Sequence, residues 1–154
     1  MKQDMVFKIK LEKGEKEFDL AKELKINENK LNVHLTRQPS KFARFATLSA
    51  LAWARAKRAK YALEEYENKL DLDIRKKADE KEGKLTENQI KALIKTDSNR
   101  MALVNALIEA EEQADIVQAA KQAFEERKDC LLSLAYSRRA QFEEELTIKE
   151  RKKD

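Results

Sequence analysis

Glycine, proline and cysteine are nearly absent from this chain of 154 residues, which contains two glycines, one proline and one cysteine. So little turn-forming material argues against an all-β or α/β fold and favours long, uninterrupted helices. The single Cys130 cannot close an intrachain disulfide, and its apolar neighbours predict a buried thiol in a reducing cytoplasm. No apolar run approaches the roughly 18 residues of a membrane-spanning helix, so we expect no membrane insertion.

Acidic residues are missing from Asn29 to Leu63, although Asp and Glu make up 29 of the 154 residues. Residues 1–63 carry 15 basic and 7 acidic side chains, whereas residues 64–154 carry 18 basic and 22 acidic ones. The modest net charge of +4 is therefore the difference between two oppositely charged parts. A basic part of this kind attracts polyanions or the acidic part of a neighbouring molecule.

Hydrophobic alternation predicts a small β element at the start of the chain. Apolar and basic residues alternate over residues 6–11, and the apolar pattern resumes at Phe18 and Leu20. This pattern indicates a hairpin, or a strand that leads into a short helix. We assign residues 1–38 to an N-terminal leader that must pack on the rest of the protein, because an isolated hairpin is marginally stable.

One proline and one glycine mark the predicted helix ends. Pro39 favours a break after a short helix over residues 28–37, with Pro39 or Ser40 opening a long helix. That helix continues to about Glu82, where Gly83 supplies a stop.

Capping residues define two further helices. The sequence from Thr86 has the spacing of a capping box, which predicts a short helix over about 87–96. Asp97 or Ser98 can cap a last helix, which runs to a basic tail at residues 149–154.

The two long helices are predicted to form an antiparallel hairpin, so the fold class is all-α with a small N-terminal β-hairpin or strand. Helices of about 40 and 50 residues would be roughly 60 and 75 Å long, and such a hairpin is too thin to bury both apolar faces. We therefore expect residues 39–148 to self-associate by coiled-coil-like packing within and between chains. The packing residues we predict are Phe45, Ala52, Trp53, Ala56, Leu63, Phe124, Leu131 and Leu134, with core packing favoured over base stacking for Phe45 and Trp53.

Signatures of catalysis, metal binding and cofactor binding are weak. The two glycines, Gly14 and Gly83, are too far apart for a phosphate-binding loop. His34 has neither the carboxylate nor the cysteine spacing of a metal site, and a partly exposed histidine is the expected outcome. The many carboxylates lie beside Lys and Arg, as on a solvated helix face. We predict a protein that is not an enzyme and needs no metal or cofactor.

The acid-free segment is the strongest functional signal. A row of cations on a helix can follow a phosphodiester backbone and gain affinity by counterion release, and Tyr61 can stack on a base. The predicted DNA-binding residues are Lys41, Arg44, Arg55, Lys57, Arg58, Lys60 and Tyr61. The alternative is that these cations form a solvated face or pair with the acidic part of a neighbouring helix.

Three segments also carry a family resemblance: residues 53–61 (WARAKRAKY), 84–87 (KLTE) and 127–131 (RKDCL). In order and spacing, residues 40–142 resemble the phage recombination mediator (UvsY) family. The resemblance implies a helical, ring-forming protein of the bacterial host cytoplasm that binds single-stranded DNA. It also implies that the protein helps a RecA-like recombinase replace single-strand-binding protein. Arg55-x-Lys57 or Arg58-x-Lys60, followed by Tyr61, is similar to the DNA-contacting motif of that family.

Two functions therefore remain open, and salt distinguishes them. If the protein binds DNA, raising the salt concentration should release single-stranded DNA first and leave an apolar assembly intact. If it is instead a structural adaptor held together by complementary charge, high salt should dissociate the oligomer. Sedimentation and oligonucleotide anisotropy, measured over the same salt series, separate the two outcomes.

Overall fold

The computed structural model describes residues 5–11, 14–80 and 83–151, and these are mostly helical. The described elements, in chain order, are β1 (Val6–Leu11), β2 (Gly14–Asp19), α1 (Leu20–Leu24), a single 3-10 turn (Glu28–Lys30), α2 (Leu31–Glu80), α3 (Glu87–Thr96) and α4 (Ser98–Arg151). Long helices and a small N-terminal sheet were both predicted. None of the described helices is long and apolar enough to cross a membrane.

The predicted hairpin is confirmed. β1 and β2 pair antiparallel, from Val6 opposite Asp19 to Leu11 opposite Gly14. Gly14 has a φ of 120°, in the left-handed region that favours glycine at a tight connection. Asp19 then caps α1, because its carboxylate accepts a hydrogen bond of 3.0 Å from the backbone N–H of Lys22.

The predicted break at Pro39 is wrong, because α2 continues through it. Proline has no N–H to donate to the carbonyl one turn earlier, which costs about 3 kcal/mol within a helix. Burial on both sides offsets this cost: Leu31, Gln38 and Phe45 are 3%, 5% and 0% exposed. Ser40 also donates its hydroxyl to the Arg37 carbonyl at 2.9 Å. Tertiary packing has therefore overridden the local preference.

The predicted caps after α2 are confirmed. The backbone N–H of Gly83 donates to the Ala78 carbonyl at 3.1 Å, in the pattern of a helix C-terminus. At the start of α3, the Thr86 hydroxyl accepts from the Gln89 backbone, and the Gln89 side chain accepts from the Thr86 backbone. Asp97 caps α4 by accepting the Arg100 N–H at 2.7 Å.

The chain divides into two compact units. The first comprises Met1–Leu48 together with Ile116–Asp154, and the second comprises Ser49–Asp115. Both α2 and α4 contribute to each unit. The described part of the predicted leader thus shares a unit with the last part of α4, and the boundary predicted after residue 38 lies inside α2.

Aromatic rings form the core of the first unit. The Phe45 and Phe124 rings stack with centroids 4.6 Å apart, and both side chains are fully buried. Phe18 of β2 meets Phe45 edge-on at 5.5 Å and also stacks with Phe7 of β1 at 5.7 Å. These contacts tie the hairpin to α2 and α4. The second unit buries small residues such as Ala56 and Ala110, together with Ile90 of α3.

A matched pair of leucines tests the importance of this core. Leu131 is fully buried in the first unit, whereas Leu72 is 67% exposed. Leu131→Ala should lower the free energy of unfolding by about 2–5 kcal/mol, because it leaves a cavity. Leu72→Ala should change it by no more than about 0.5 kcal/mol. Urea denaturation followed by circular dichroism measures both, and equal losses would contradict the assigned core.

Candidate nucleic-acid interface

The outward side of α2 in the second unit carries aromatic and basic side chains close together. Ala52 and Ala56 are buried, whereas five residues between or after them on the helix are exposed. These five residues span about 160° of arc at the helical repeat of 100° per residue. We call them the basic-aromatic face: Trp53, Lys57, Arg58, Lys60 and Tyr61.

The side chains of this face are accessible. Trp53 is 47% exposed and Tyr61 is 57% exposed, while Lys57, Arg58 and Lys60 are exposed as well. The Lys57 ammonium lies 5.9 Å from the centre of the Tyr61 ring, which is a cation–π distance. The face therefore offers planar rings and positive charge to the same ligand.

Lys41 and Arg44 are in a different environment, within the first unit. The Lys41 ammonium donates to the Glu23 carboxylate at 2.7 Å and to the Glu23 backbone carbonyl at 3.1 Å. Arg44 lies 3.7 Å from the same carboxylate and stacks over the Phe18 ring at 4.9 Å. The hydrogen bond from Lys41 is the main reason that the pKa of Glu23 lies below its ordinary value. These two cations therefore fasten α1 and β2 to α2.

The predicted DNA-binding residues thus fall into two groups. Lys41 and Arg44 belong to the first unit, whereas Arg55 and the basic-aromatic face belong to the second. Arg55 is half-buried and already takes part in an interaction within the described chain. In the second group Lys57, Arg58, Lys60 and Tyr61 are exposed, and in the first group Arg44 is exposed.

The residues predicted to pack within and between chains also differ in burial. Phe45, Phe124 and Leu131 are fully buried in the chain's own core, and Ala52 and Ala56 are buried as well. Leu63 and Leu134 are half-buried.

Two predictions of burial are corrected by the structure. Within its own chain Trp53 is 47% exposed rather than packed in the core, because it lies beside the narrow alanine stripe and not on it, and its packing between chains stays a prediction. Cys130 is likewise exposed, because its apolar neighbour Leu131 occupies the buried position of α4.

A buried arginine is the polar feature that sequence reasoning missed. Arg127 is 4% exposed, and its guanidinium donates to the Leu24 carbonyl at 3.0 Å and to the Gln38 side-chain oxygen. It also contacts Nδ1 of His34 at 2.9 Å. Burial lowers the pKa of Arg127 from its ordinary value. Its spacing from Phe124 and Leu131 places it on the buried stripe of α4, which is the signal that could have revealed it.

His34, predicted to be partly exposed, is half-buried and faces two donors. Arg127 approaches Nδ1, and the Asn27 backbone N–H approaches Nε2 at 3.1 Å. A neutral imidazole keeps one acceptor nitrogen for these donors, whereas a protonated ring has none. Desolvation, followed by repulsion from Arg127, lowers the pKa of His34. A neutral ring therefore accepts from one of these two donors, and a protonated ring would accept from neither.

Polar contacts in the second unit fix the start of α4. The Tyr66 hydroxyl donates to the Asp97 carboxylate at 2.9 Å, and Arg100 donates to Glu67 at 2.6 Å. The pKa of Asp97 lies below its ordinary value, mainly because that carboxylate accepts the Arg100 backbone N–H. Among residues 5–11, 14–80 and 83–151, no three His, Cys, Asp or Glu side chains are grouped to hold a metal ion.

Comparisons of this chain with protein-family models, with curated proteins and with solved structures found no match.

Acidification should destabilise the protein through His34. The unfolded imidazole binds its proton near pH 6.5, whereas the folded one binds it only at lower pH. The unfolded state therefore holds more protons in this range, and the free energy of unfolding should fall as the pH drops below about 6.5. His34→Gln should flatten this dependence between pH 7.5 and 5.5. Glu23 does not interfere, since its pKa is lowered from 4.5.

The measurement is urea denaturation at several pH values for both proteins. Equal loss of stability in wild type and in His34→Gln would show that another group is responsible.

Proposed function

We propose that this protein binds single-stranded DNA without sequence specificity and acts as a recombination mediator. In this role it helps a RecA-like recombinase to load in place of single-strand-binding protein, in the cytoplasm of a phage-infected bacterium. The observation that carries the DNA-binding part is the basic-aromatic face, where two exposed rings, Trp53 and Tyr61, are interleaved with three exposed cations. The mediator part is supported by the resemblance to the UvsY family.

The chemistry of this face favours a single strand over a duplex. Stacking of a base on an aromatic side chain is worth about 1–3 kcal/mol and tolerates any base, because every base has a π-face. In a duplex these faces are already stacked on one another. Lys57, Arg58 and Lys60 add affinity by neutralising phosphates and releasing counterions. Binding of this kind has little dependence on sequence, because none of these interactions reads base edges.

Self-association would strengthen such binding. One face of five residues covers only a few nucleotides, whereas several copies on one continuous strand raise the overall affinity through effective concentration. An assembly that holds the strand in the conformation preferred by a recombinase would favour loading through differential affinity. Lys41 and Arg44 contribute indirectly in this proposal, since their contacts with Glu23 and Phe18 stabilise the first unit.

Removal of two cations tests the DNA-binding part. Arg58→Gln with Lys60→Gln should weaken binding to a labelled oligonucleotide by tenfold or more at low salt. The slope of log affinity against log salt should fall by about 1.4, because each phosphate of a single strand that is no longer neutralised lowers it by roughly 0.7. The matched control is Lys76→Gln with Lys77→Gln, which removes two exposed cations elsewhere on α2. Fluorescence anisotropy measures all three proteins.

Trp53 supplies a second readout, because it is the only tryptophan in the chain. Its fluorescence should be quenched when a base stacks on the ring, and duplex DNA should quench it less. Equal affinity in the double variant and its control, with no change in tryptophan fluorescence, would contradict the proposed interface.

A further inference from the structure

The last part of α4 exposes large apolar side chains. From Tyr136 to Lys149 every residue is exposed, including Phe142 at 62% and Leu146 at 44%. Leu132, one turn before Tyr136, is 41% exposed. Phe142 and Leu146 lie on one helix face, and Leu132 extends this apolar surface toward the start of α4. Exposed apolar side chains grouped in this way indicate a contact surface rather than a solvated helix end.

These side chains belong to a regular stripe. Eight positions follow one another at the alternating three- and four-residue spacing of a coiled-coil seam, and four of them are apolar: Leu132, Ala135, Phe142 and Leu146. We call the eight positions the α4 seam: Glu125, Lys128, Leu132, Ala135, Arg139, Phe142, Leu146 and Lys149. The seam extends over about 36 Å at 1.5 Å per residue. Its apolar positions cover about two heptads, with charged residues at both ends of the seam and Arg139 between them.

A groove lies beside the first part of the seam. It has a volume of about 500 Å³ and is lined by Leu35, Pro39 and Phe42 of α2 and by Leu132 of α4, among others. Glu125 and Lys128 of the seam also line it. The first unit therefore presents an apolar recess with one acidic and one basic side chain, next to a helix segment with protruding rings.

We propose that a second copy of this chain covers the seam, with the two α4 helices antiparallel about a two-fold axis. Phe142 of each copy then packs on Leu132 of the other, beside the groove. Ala135 faces Arg139, so a small residue makes room for a long one. Lys149 faces Glu125, and this pair of opposite charges occurs twice because the interface is symmetric.

Charge selects this arrangement from the alternatives. A parallel pairing in register would set Lys128, Arg139 and Lys149 each against its own copy, which is repulsive. Shifting the antiparallel pairing by one heptad would place Phe142 against Arg139 or against Glu125. In the proposed register Phe142 meets the apolar Leu132, while Leu146 packs on the aliphatic stem of Lys128. Arg139 also brings its own counter-charge, because its guanidinium lies 2.9 Å from Glu143.

This inference rests on the proposed function and names the interface through which its self-association occurs. Formation of this interface requires no DNA. The first measurement is sedimentation equilibrium of the full chain without DNA. The wild type should be at least dimeric, and Phe142→Asp should raise the dissociation constant by about a hundredfold or more, because the change acts twice in a symmetric interface. Leu72→Asp, at an exposed leucine outside the seam, should leave the dissociation constant unchanged.

Charge reversal tests the register. Glu125→Lys and Lys149→Glu should each weaken association, and the double variant should recover most of it, because the pair is restored with exchanged signs. A merely structural role of either residue would not produce this recovery. A monomeric wild type, an unchanged Phe142→Asp variant, or a double variant weaker than both single variants would each overturn the proposal.

A cross-link gives the direction of the helices. In a Cys130→Ser background, a mixture of Leu132→Cys and Phe142→Cys chains should form a disulfide between the two different chains. Cross-linking of each variant only with itself would overturn the antiparallel register. DNA affinity of the basic-aromatic variants is measured separately, so failure of this interface and failure of DNA binding give distinct results.

Discussion

A series of phenylalanine rings holds the first unit together. Phe7 stacks on Phe18, Phe18 meets Phe45 edge-on, and Phe45 stacks on Phe124. The rings come from both strands of the hairpin, from α2 and from α4, so one set of contacts joins elements far apart in sequence. A two-stranded hairpin is marginal alone, and this packing supplies the support that it needs. The placement of Lys41 and Arg44 also follows, because their partners Glu23 and Phe18 are held against α2.

The buried Arg127 favours one packing arrangement of α2 on α4 within the first unit. Burying a guanidinium is unfavourable unless its donors are satisfied, and a backbone carbonyl and a side-chain amide accept them here, with the His34 ring beside them at 2.9 Å. The partners come from two segments: Leu24 is the last residue of α1, while His34 and Gln38 lie on successive turns of α2. A shifted register of α2 on α4 would leave a buried charge without partners, so the cluster disfavours alternatives that apolar packing alone would tolerate.

The narrow core explains why so much of the surface is available for binding. Outside the aromatic series, α2 and α4 bury mainly alanines, which cover only a thin stripe of each helix. Large side chains beside that stripe remain exposed on α2, including Trp53 and Tyr61, while Phe142 lies on a part of α4 where every residue is exposed. The narrow packing therefore leaves a surface with rings and cations on α2, proposed for a nucleic acid, and the uncovered part of α4 leaves the α4 seam, proposed for a second copy.

The sequence alone determined most of the secondary structure, because its signals are local. Alternation marked β1 and β2, the scarcity of glycine and proline indicated long helices, and the caps at Thr86 and Asp97 marked helix starts. The sequence also indicated the charged residues of the basic-aromatic face, because the absence of Asp and Glu from residues 29–63 can be read from the sequence. The tertiary structure decided what local rules cannot. Pro39 stays helical because burial on both sides outweighs its missing donor, and Arg127 is buried because residues 89 or more positions away supply its acceptors. Contacts between helices decide which edge of an apolar stripe is covered, and these contacts leave Trp53 exposed.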